Sequence, residues 1–359
     1  MIKENRRVDA SALEFFKRVL ATPSPSGYEG PVQAIVREYC GTFADKVTTD
    51  VHGNVIAVKN PDSPLRVMLA GHCDQIGLLV SHVDSDGFLY VQTIGGWDPM
   101  QLIGQRLTVW TDRGPVEGVI ARKPIHLLTD EERKQVPKTK DLWIDIGAKN
   151  KEESLSRVRI GDPVTLALSY SEFANGLACS PAMDNKSGLW VVIEALRRAA
   201  GMGVKIGLYA VSTVQEEIGL RGAKTSAHGI DPHIGIAVDV THATDCPTID
   251  KKEQGDIALG NGPVIYRGPN MNLKVTQRLF DVATDARIPV QPAAIGRATP
   301  NDANMLQITR AGVATGLVSI PNRYMHSAVE MISLADIDRA ADLLAAFAVG
   351  LSEADDFTP

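Results

Sequence analysis

Hydrophobic residues recur with helical spacing over Ser11–Ala21 and Glu29–Phe43, and the turn-rich run Thr22-Pro23-Ser24-Pro25-Ser26-Gly27 separates the two segments. Val47–Lys59 holds two β-rich runs about Gly53-Asn54, which predicts a hairpin. Leu65–Ala70 has the continuous apolar character of a buried strand and runs straight into Gly71-His72-Cys73-Asp74. From Gln75 to Leu168 the texture changes. Short strand-like runs at Phe88–Thr93, Arg106–Thr111, Val116–Ala121 and Pro163–Leu168 are punctuated by glycine and proline, with no strong amphipathic helix among them. Such spacing predicts a small barrel or sandwich, in which the charged stretch Arg122–Asp141 reads as a solvated loop. Beyond Ser180 the two periods alternate again. Ser187–Ala200 reads as an amphipathic helix, Lys205–Val214, Ile234–Val240 and Thr315–Ile320 as buried strands, and Ser333 as the cap of a closing helix through Leu351. Alternation of this kind predicts an α/β fold, a mixed β-sheet flanked by helices, formed by residues 1–74 and 169–359 and interrupted by a smaller β-rich module over 75–168.

Composition narrows the function classes. The 359 residues are 44% hydrophobic and 22% charged, which is ordinary for a folded chain, and the formal net charge is −6. A basic excess suited to nucleic acid is missing. No apolar run approaches the roughly 18 residues of a membrane span, and Leu189–Leu196 is already broken by Glu194. Met1–Arg7 is polar with no apolar run behind it, so no secretory signal is expected. Cys40, Cys73, Cys179 and Cys246 make neither a C-x-x-C pair nor a disulfide framework, which predicts a reduced, cytoplasmic protein.

Polar, metal-competent residues stand where the buried strands end, the place at which open α/β folds gather ligands. His72 and Asp74 follow the strand ending at Ala70 and, two residues apart in extended chain, share a face; a carboxylate beside a histidine is what orients a metal ligand. Gln215-Glu216-Glu217 follows the strand ending at Val214. Adjacent carboxylates there repel unless a cation or a proton separates their roles, so one glutamate suits a metal and the other a general base. Asp239 ends an apolar run in which an unpaired acid is expensive. Asp184 precedes a helix and has the alternative reading of a helix N-cap; His326, in Tyr324-Met325-His326-Ser327, has that of a hydrogen-bonded structural histidine. Together, His72, Asp184, Asp239, His326 and one of the two glutamates make a nitrogen and oxygen set suited to Zn²⁺ or Co²⁺. With one carboxylate bridging, five residues give three ligands to each of two ions. Two dications against three carboxylates leave about one positive charge to hold hydroxide.

Gly71-His72-Cys73-Asp74-Gln75-Ile76-Gly77, Ala182-Met183-Asp184-Asn185, Gln215 to Ala223, Val238-Asp239-Val240-Thr241 and His326-Ser327 resemble the motifs of the M42 metallo-aminopeptidases, the glutamyl and tetrahedral aminopeptidase group. Ile94-Gly95-Gly96-Trp97-Asp98-Pro99 and Lys123-Pro124-Ile125-His126-Leu127-Leu128 extend the likeness over nearly the whole chain. The resemblance implies a zinc-exopeptidase-like catalytic domain with His72, Asp184 and Asp239 on one metal and Asp184, Glu217 and His326 on the other. It makes Glu216 the general base and Asp74 the residue that orients His72. It further implies short peptide substrates, a dimerising role for the inserted module, and a hollow tetrahedral dodecamer built from dimers. Leu127, Leu128 and Trp143 are the apolar residues that such an interface would cover.

The sequence also departs from the family. Gln75 stands where an acid is usual, Asp184-Asn185 replaces an Asp-Asp pair, Asn301-Asp302-Ala303-Asn304 replaces Thr-Asp-Ala-Gly, and Ala328 replaces the proline of His-Ser-Pro. None removes a ligand. Deacylases and carboxypeptidases of the M20 kind share the ordered ligands but carry their extra domain between the last two, whereas here the β-rich module separates Asp74 from Asp184. A glycosidase needs two free carboxylates, one protonated, and a set committed to metals is ill suited to that. An inactive scaffold has no use for so much buried charge.

Overall fold

The continuous apolar run that ends in His72 forms the strand around which the larger body is assembled. The computed structural model describes residues 8–359, and the polar Met1–Arg7 stretch lies outside the described residues. In chain order the strands of this first part are β1 (Lys46–Thr49), β2 (Val55–Lys59) and β3 (Arg66–His72). Those of the inserted module are β4 (Gly77–Val83), β5 (Leu89–Ile94), β6 (Arg106–Thr111), β7 (Gly114–Ala121), β8 (Trp143–Asp145) and β9 (Pro163–Leu166). The remainder are β10 (Ser171–Glu172), β11 (Leu177–Cys179), β12 (Gly207–Thr213), β13 (Ile234–His242), β14 (Val264–Arg267), β15 (Gln291–Ala294), β16 (Ala314–Asn322) and β17 (Met331–Ser333).

One sheet has the order β1-β2-β12-β3-β13-β16-β14-β15. Its central strands β12, β3, β13 and β16 are parallel, while β2 and β14 join them antiparallel. Both faces are covered by helices, and side-chain alternation explains why the central strands read as unbroken apolar runs. On β3, Val67 and Leu69 enter one core with Phe16, Trp190 and Leu344, whereas Met68 and Ala70 enter a second with Ala223, Ala227 and Leu306. Trp190 is fully buried, and its indole N–H donates to the Ala12 carbonyl at 2.8 Å, so the ring's one polar atom is satisfied.

The inserted module closes into a six-stranded barrel of order β4-β5-β8-β7-β6-β9 with its own core, which includes Leu78, Leu89, Leu107, Ile120, Ile144 and Val164. The fold expected from sequence is therefore observed: a mixed sheet flanked by helices, with a separate β-barrel. Differences are local. Strands β4 and β8 carry no separate signal, because β4 follows the His72–Asp74 motif without a break and β8 is three residues long beside a charged stretch. That stretch is exposed and contains only single turns of helix, at Ile125–Leu127, Asp130–Arg133 and Thr139–Asp141. Ser333 does precede the closing helix Leu334–Val349, but its side chain makes no capping hydrogen bond. Among the described residues no helix is long and apolar enough to cross a membrane.

The helix Met183–Gly201 lies directly on β3, and two glycines permit it. A Cβ on Gly71 would stand 2.6 Å from the Gly188 carbonyl carbon, and one on Gly188 would stand 2.2 Å from Asn185 Oδ1 and 2.6 Å from Val238 O. This close approach brings the start of that helix over the end of β3. Gly188→Ala is expected to lower the free energy of unfolding by about 1–3 kcal/mol through overpacking. Gly229→Ala, where an added methyl would meet nothing within 4 Å, should leave stability unchanged or raise it slightly. Denaturant titration of both variants checks the contrast.

Candidate active site

The parallel strands β3, β12, β13 and β16 deliver their ends to one edge of the sheet, and the polar residues singled out from sequence meet there. His72 is the last residue of β3, Asp239 lies late in β13, and Glu216 and Glu217 follow β12. His326 comes from the loop after β16, and Asp184 from the start of Met183–Gly201, where Asp184 and Asn185 depart from helical geometry. His72 Nε2 stands 3.3 Å from Asp184 Oδ1, 3.7 Å from Asp239 Oδ1 and 3.7 Å from Glu216 Oε2. His326 Nε2 stands 3.2 Å from Asp184 Oδ2 and 3.6 Å from Glu217 Oε2. Asp184 thus turns one oxygen to each histidine. The close-packed donor sets are His72–Asp184–Asp239, Asp184–Glu217–His326 and His72–Glu216–Glu217, each with its donor atoms within 4.8 Å of one another. They line a cavity of about 1140 Å³ that extends past Tyr266, Arg267 and Arg297.

Burial at such density disturbs every titration. Burial lifts Glu216 well above the usual carboxylate range, with Asp239, Asp302 and Glu217 adding repulsion; burial and then Asp184 do the same to Glu217, whose Oε1 is buried without a hydrogen-bond partner. Asp239 is raised chiefly by burial. Asp184 goes the other way: burial opposes its charge, but hydrogen bonds to His326 and His72 outweigh it and hold the acid well below its ordinary range. Burial also opposes a charged His72, yet Glu216, Asp184, Asp239 and Asp74 prevail and raise the ring. His326 is pushed up to about 9, first by its hydrogen bond with Asp184.

Asp74, expected to orient His72, has its Oδ1 3.4 Å from His72 Nδ1, but its own backbone carbonyl is nearer, at 3.0 Å. Its carboxylate accepts the Glu216 and Glu217 backbone N–H groups at 3.0 and 3.1 Å and the Ser26 hydroxyl at 2.6 Å. The acid therefore supports the two glutamates at least as directly as the histidine. Asp184 is not the helix cap: Asn185 Oδ1 accepts the Gly188 N–H at 2.9 Å while its Nδ2 donates to Val238 O at 2.7 Å. An aspartate at 185 would lack that donor. Gln75 Oε1 accepts from the buried Lys186 ammonium at 2.7 Å, and burial brings that lysine down to about 7.

Three contributors escape a reading of the sequence. Glu330, fully buried, accepts the backbone N–H groups of Asp184 and His326 at 2.7 and 2.8 Å, so one carboxylate ties together two residues far apart in the chain. The Gly96 carbonyl, on the loop leaving β5 of the barrel, lies 2.7 Å from His326 Nδ1. Asp302 is buried beside the cluster and accepts the Thr213 hydroxyl at 2.6 Å. A lone acid four residues after His326 and a backbone carbonyl leave no pattern to detect; Asp302 was visible only as part of the Asn301–Asn304 departure.

The titrations carry a stability consequence. His72 and His326 have folded pKa values above their unfolded ones, so their contribution is fully present below about 6.5 and is lost as pH rises through about 9 for His326. Glu216, Glu217 and Asp239 are also raised and favour the folded state toward low pH in the same sense. Protein stripped of divalent ions with a chelator is expected to show a falling Tm from pH 6.5 to 9. Thermal denaturation across that window checks it, and a Tm that climbs with pH would contradict these assignments.

Residues 53–343 match the family model for the M42 glutamyl aminopeptidases. A lysyl aminopeptidase of Pyrococcus furiosus is 39% identical over 352 residues, covering 96% of this chain and 99% of the relative. The crystal structure of a TET aminopeptidase from a marine sediment Thaumarchaeota archaeon superimposes with a TM-score of 0.91 at 35% identity, covering 96% of this chain and 97% of that one. The TET1 peptidase of Pyrococcus horikoshii, described as assembling into a tetrahedron or a large octahedral shell, gives a TM-score of 0.84 at 30% identity, covering 95% of this chain and 100% of its own. With nearly full coverage in each case and the buried acid and histidine cluster at the sheet edge, the chain belongs to the M42 family of aminopeptidases, hydrolases of the peptide bond.

Proposed function

We propose that the protein is a two-metal aminopeptidase that releases the N-terminal residue of short peptides with Glu216 as general base. The observation that carries this reading is the placement of Asp184, whose two oxygens stand 3.3 and 3.2 Å from His72 and His326. A carboxylate shared by two imidazoles in this way suits a bridge. His72, Asp184 and Asp239 would hold one ion, and Asp184, Glu217 and His326 the other. The donors fit Zn²⁺ or Co²⁺: they are imidazole and carboxylate with no thiolate, and they include buried like charges that a bound cation would relieve. Donor proximity alone does not choose between the glutamates, since His72, Glu216 and Glu217 also form a close set. Glu217 shares the neighbourhood of Asp184 and His326, which leaves Glu216 free to carry a proton.

Two divalent ions held there would supply Lewis acidity toward the scissile carbonyl and the attacking water. Glu216 takes the proton from that water and returns it to the leaving amine; its raised affinity for protons, caused by burial and its acidic neighbours, suits it to both transfers. Asp74 fixes the backbone of Glu216 and Glu217, Glu330 fixes that of Asp184 and His326, and the cavity admits an extended peptide end.

The barrel presents apolar side chains to solvent. Ile125, Leu127 and Val136 are 64%, 66% and 68% exposed, whereas Leu128 and Trp143 are half-buried, the latter edge-on to Phe88. Of the three residues expected at an interface, Leu127 fits best and Ile125 joins it. We propose that this face pairs two subunits and that dimers build a tetrahedral dodecamer; the Pyrococcus horikoshii relative is described as assembling into a tetrahedron or a large octahedral shell, and the similar PhTET1-12s structure as a dodecamer. With four unpaired cysteines, a cytoplasmic setting suits the protein.

Glu216→Gln is expected to retain both ions and to lose at least about 10²-fold in kcat, because the amide keeps the shape but accepts no proton. Metal analysis and kinetics on one preparation decide it, and full turnover would remove Glu216 from the role. Light scattering on the native chain should give a mass near twelve subunits, and Ile125→Asp with Leu127→Asp a smaller particle. A native monomer at micromolar concentration would end the assembly proposal and leave the catalytic one standing.

A further inference from the structure

Where β12 ends, the next four backbone N–H groups find no strand to pair with. Each donates to a side chain instead. Val214 N–H meets Asn54 Oδ1 at 3.1 Å, Gln215 N–H meets Glu29 Oε1 at 3.1 Å, and those of Glu216 and Glu217 meet the two oxygens of Asp74 at 3.0 and 3.1 Å. The carbonyls of the same segment are taken by the turn that follows, Leu220 N–H donating to Glu216 O at 2.9 Å and Arg221 N–H to Gln215 O at 3.2 Å. Gln215 itself has φ +55°, a left-handed backbone that a residue with a Cβ adopts only when its surroundings impose it. The direction of the Glu216 side chain is set at that residue.

Glu29 stands at the residue before the helix Gly30–Cys40, yet its side chain makes no capping bond to that helix. Its Oε1 accepts Gly27 N–H at 2.8 Å and reaches across to Gln215. It is only 6% exposed, and among the described residues no Lys or Arg forms an ion pair with it. A carboxylate buried without a cation and unused by its own helix is costly, and the left-handed Gln215 amide is the distant group it serves. The same turn sends the Ser26 hydroxyl to Asp74, which holds the next two amides. One N-terminal turn thereby supports the whole Gln215–Glu217 segment.

From this geometry we infer that Glu29 is a positioning residue for the reaction: by accepting the Gln215 N–H it fixes the backbone that aims Glu216 at the attacking water. The inference rests on the reading of Glu216 as the base. It differs from a packing role, which would alter stability and leave turnover per loaded site untouched.

The test is steady-state kinetics with an amino-acid anilide on metal-loaded Glu29→Ala, Glu29→Gln and Glu29→Asp, each analysed for bound metal, with Glu216→Gln as reference. Glu29→Ala is expected to lose roughly 10- to 100-fold in kcat while KM and two ions per chain are kept, as a displaced catalytic group requires. Glu29→Gln, whose amide oxygen can accept the same two N–H groups, should restore turnover close to native. Native kcat in Glu29→Ala, loss of metal in step with activity, or a Glu29→Gln as impaired as Glu29→Ala would each overturn the inference. Should Glu29→Ala not fold, Glu29→Asp decides, since it keeps the charge and withdraws the acceptor by one methylene: reduced kcat with metal retained supports the role, and native kcat overturns it. The two readings fail separately. A fully active Glu216→Gln removes the base, whereas an inactive Glu216→Gln beside a fully active Glu29→Ala removes only the positioning role.

Discussion

Asp184, Glu216, Glu217 and Asp239 crowd about two imidazoles at the edge of the parallel strands, the acids largely buried and His326 partly open to the cavity, and the rest of the architecture answers to that crowding. Like charges at this spacing cannot all ionise unless cations lie among them. In the chain alone the two histidines take that part, which is why Asp184 remains acidic between them while the other three are driven toward their neutral forms. A pair of divalent ions in the proposed positions would favour ionised Glu217 and Asp239 and neutral imidazoles, and would reinforce the ionised form of Asp184.

Holding six such side chains against their repulsion calls for rigid attachment, and the fold supplies it by backbone capture. Asp74 takes two successive amides, Glu330 takes one from each of two distant segments, and Asn185 bonds the strand beside it while capping its own helix. These partners are themselves fully buried, so their geometry is not traded against water. The Gly71–Gly188 contact adds the third dimension by setting how far the helix bearing Asp184 stands from the strand bearing His72.

The histidines and acids at strand ends were legible because strand ends are where an apolar run stops, and a charged residue at that point is conspicuous. Neighbouring glutamates were legible as a pair, but which of them stands beside Asp184 and His326 was not, since that depends on the turn after β12. Asp184 and Asn185 show a similar limit: the helix start was evident, but which of the two capped it follows from the position of Val238, a residue of another strand. Glu29 and Glu330 act on amides far away in sequence, and no local pattern marks them. Strand β4 was hidden because Gly77–Val83 follows the His72–Asp74 motif without a break.

The loop leaving β5 gives the barrel a bearing on chemistry that its fold alone does not suggest. Gly96 presents its carbonyl to His326, and a Cβ on Gly95 would lie 2.6 Å from Ile76 and 3.3 Å from Glu217 Oε2. The seam between the two bodies thus runs through the acid and histidine cluster rather than around it. Transplanting the barrel onto another scaffold, or trimming it to the nearest convenient loop, would take away the group that settles the tautomer and tilt of one imidazole. For the same reason the barrel is joined to the acid and histidine cluster by a short path, a single backbone turn through Gly95 and Gly96.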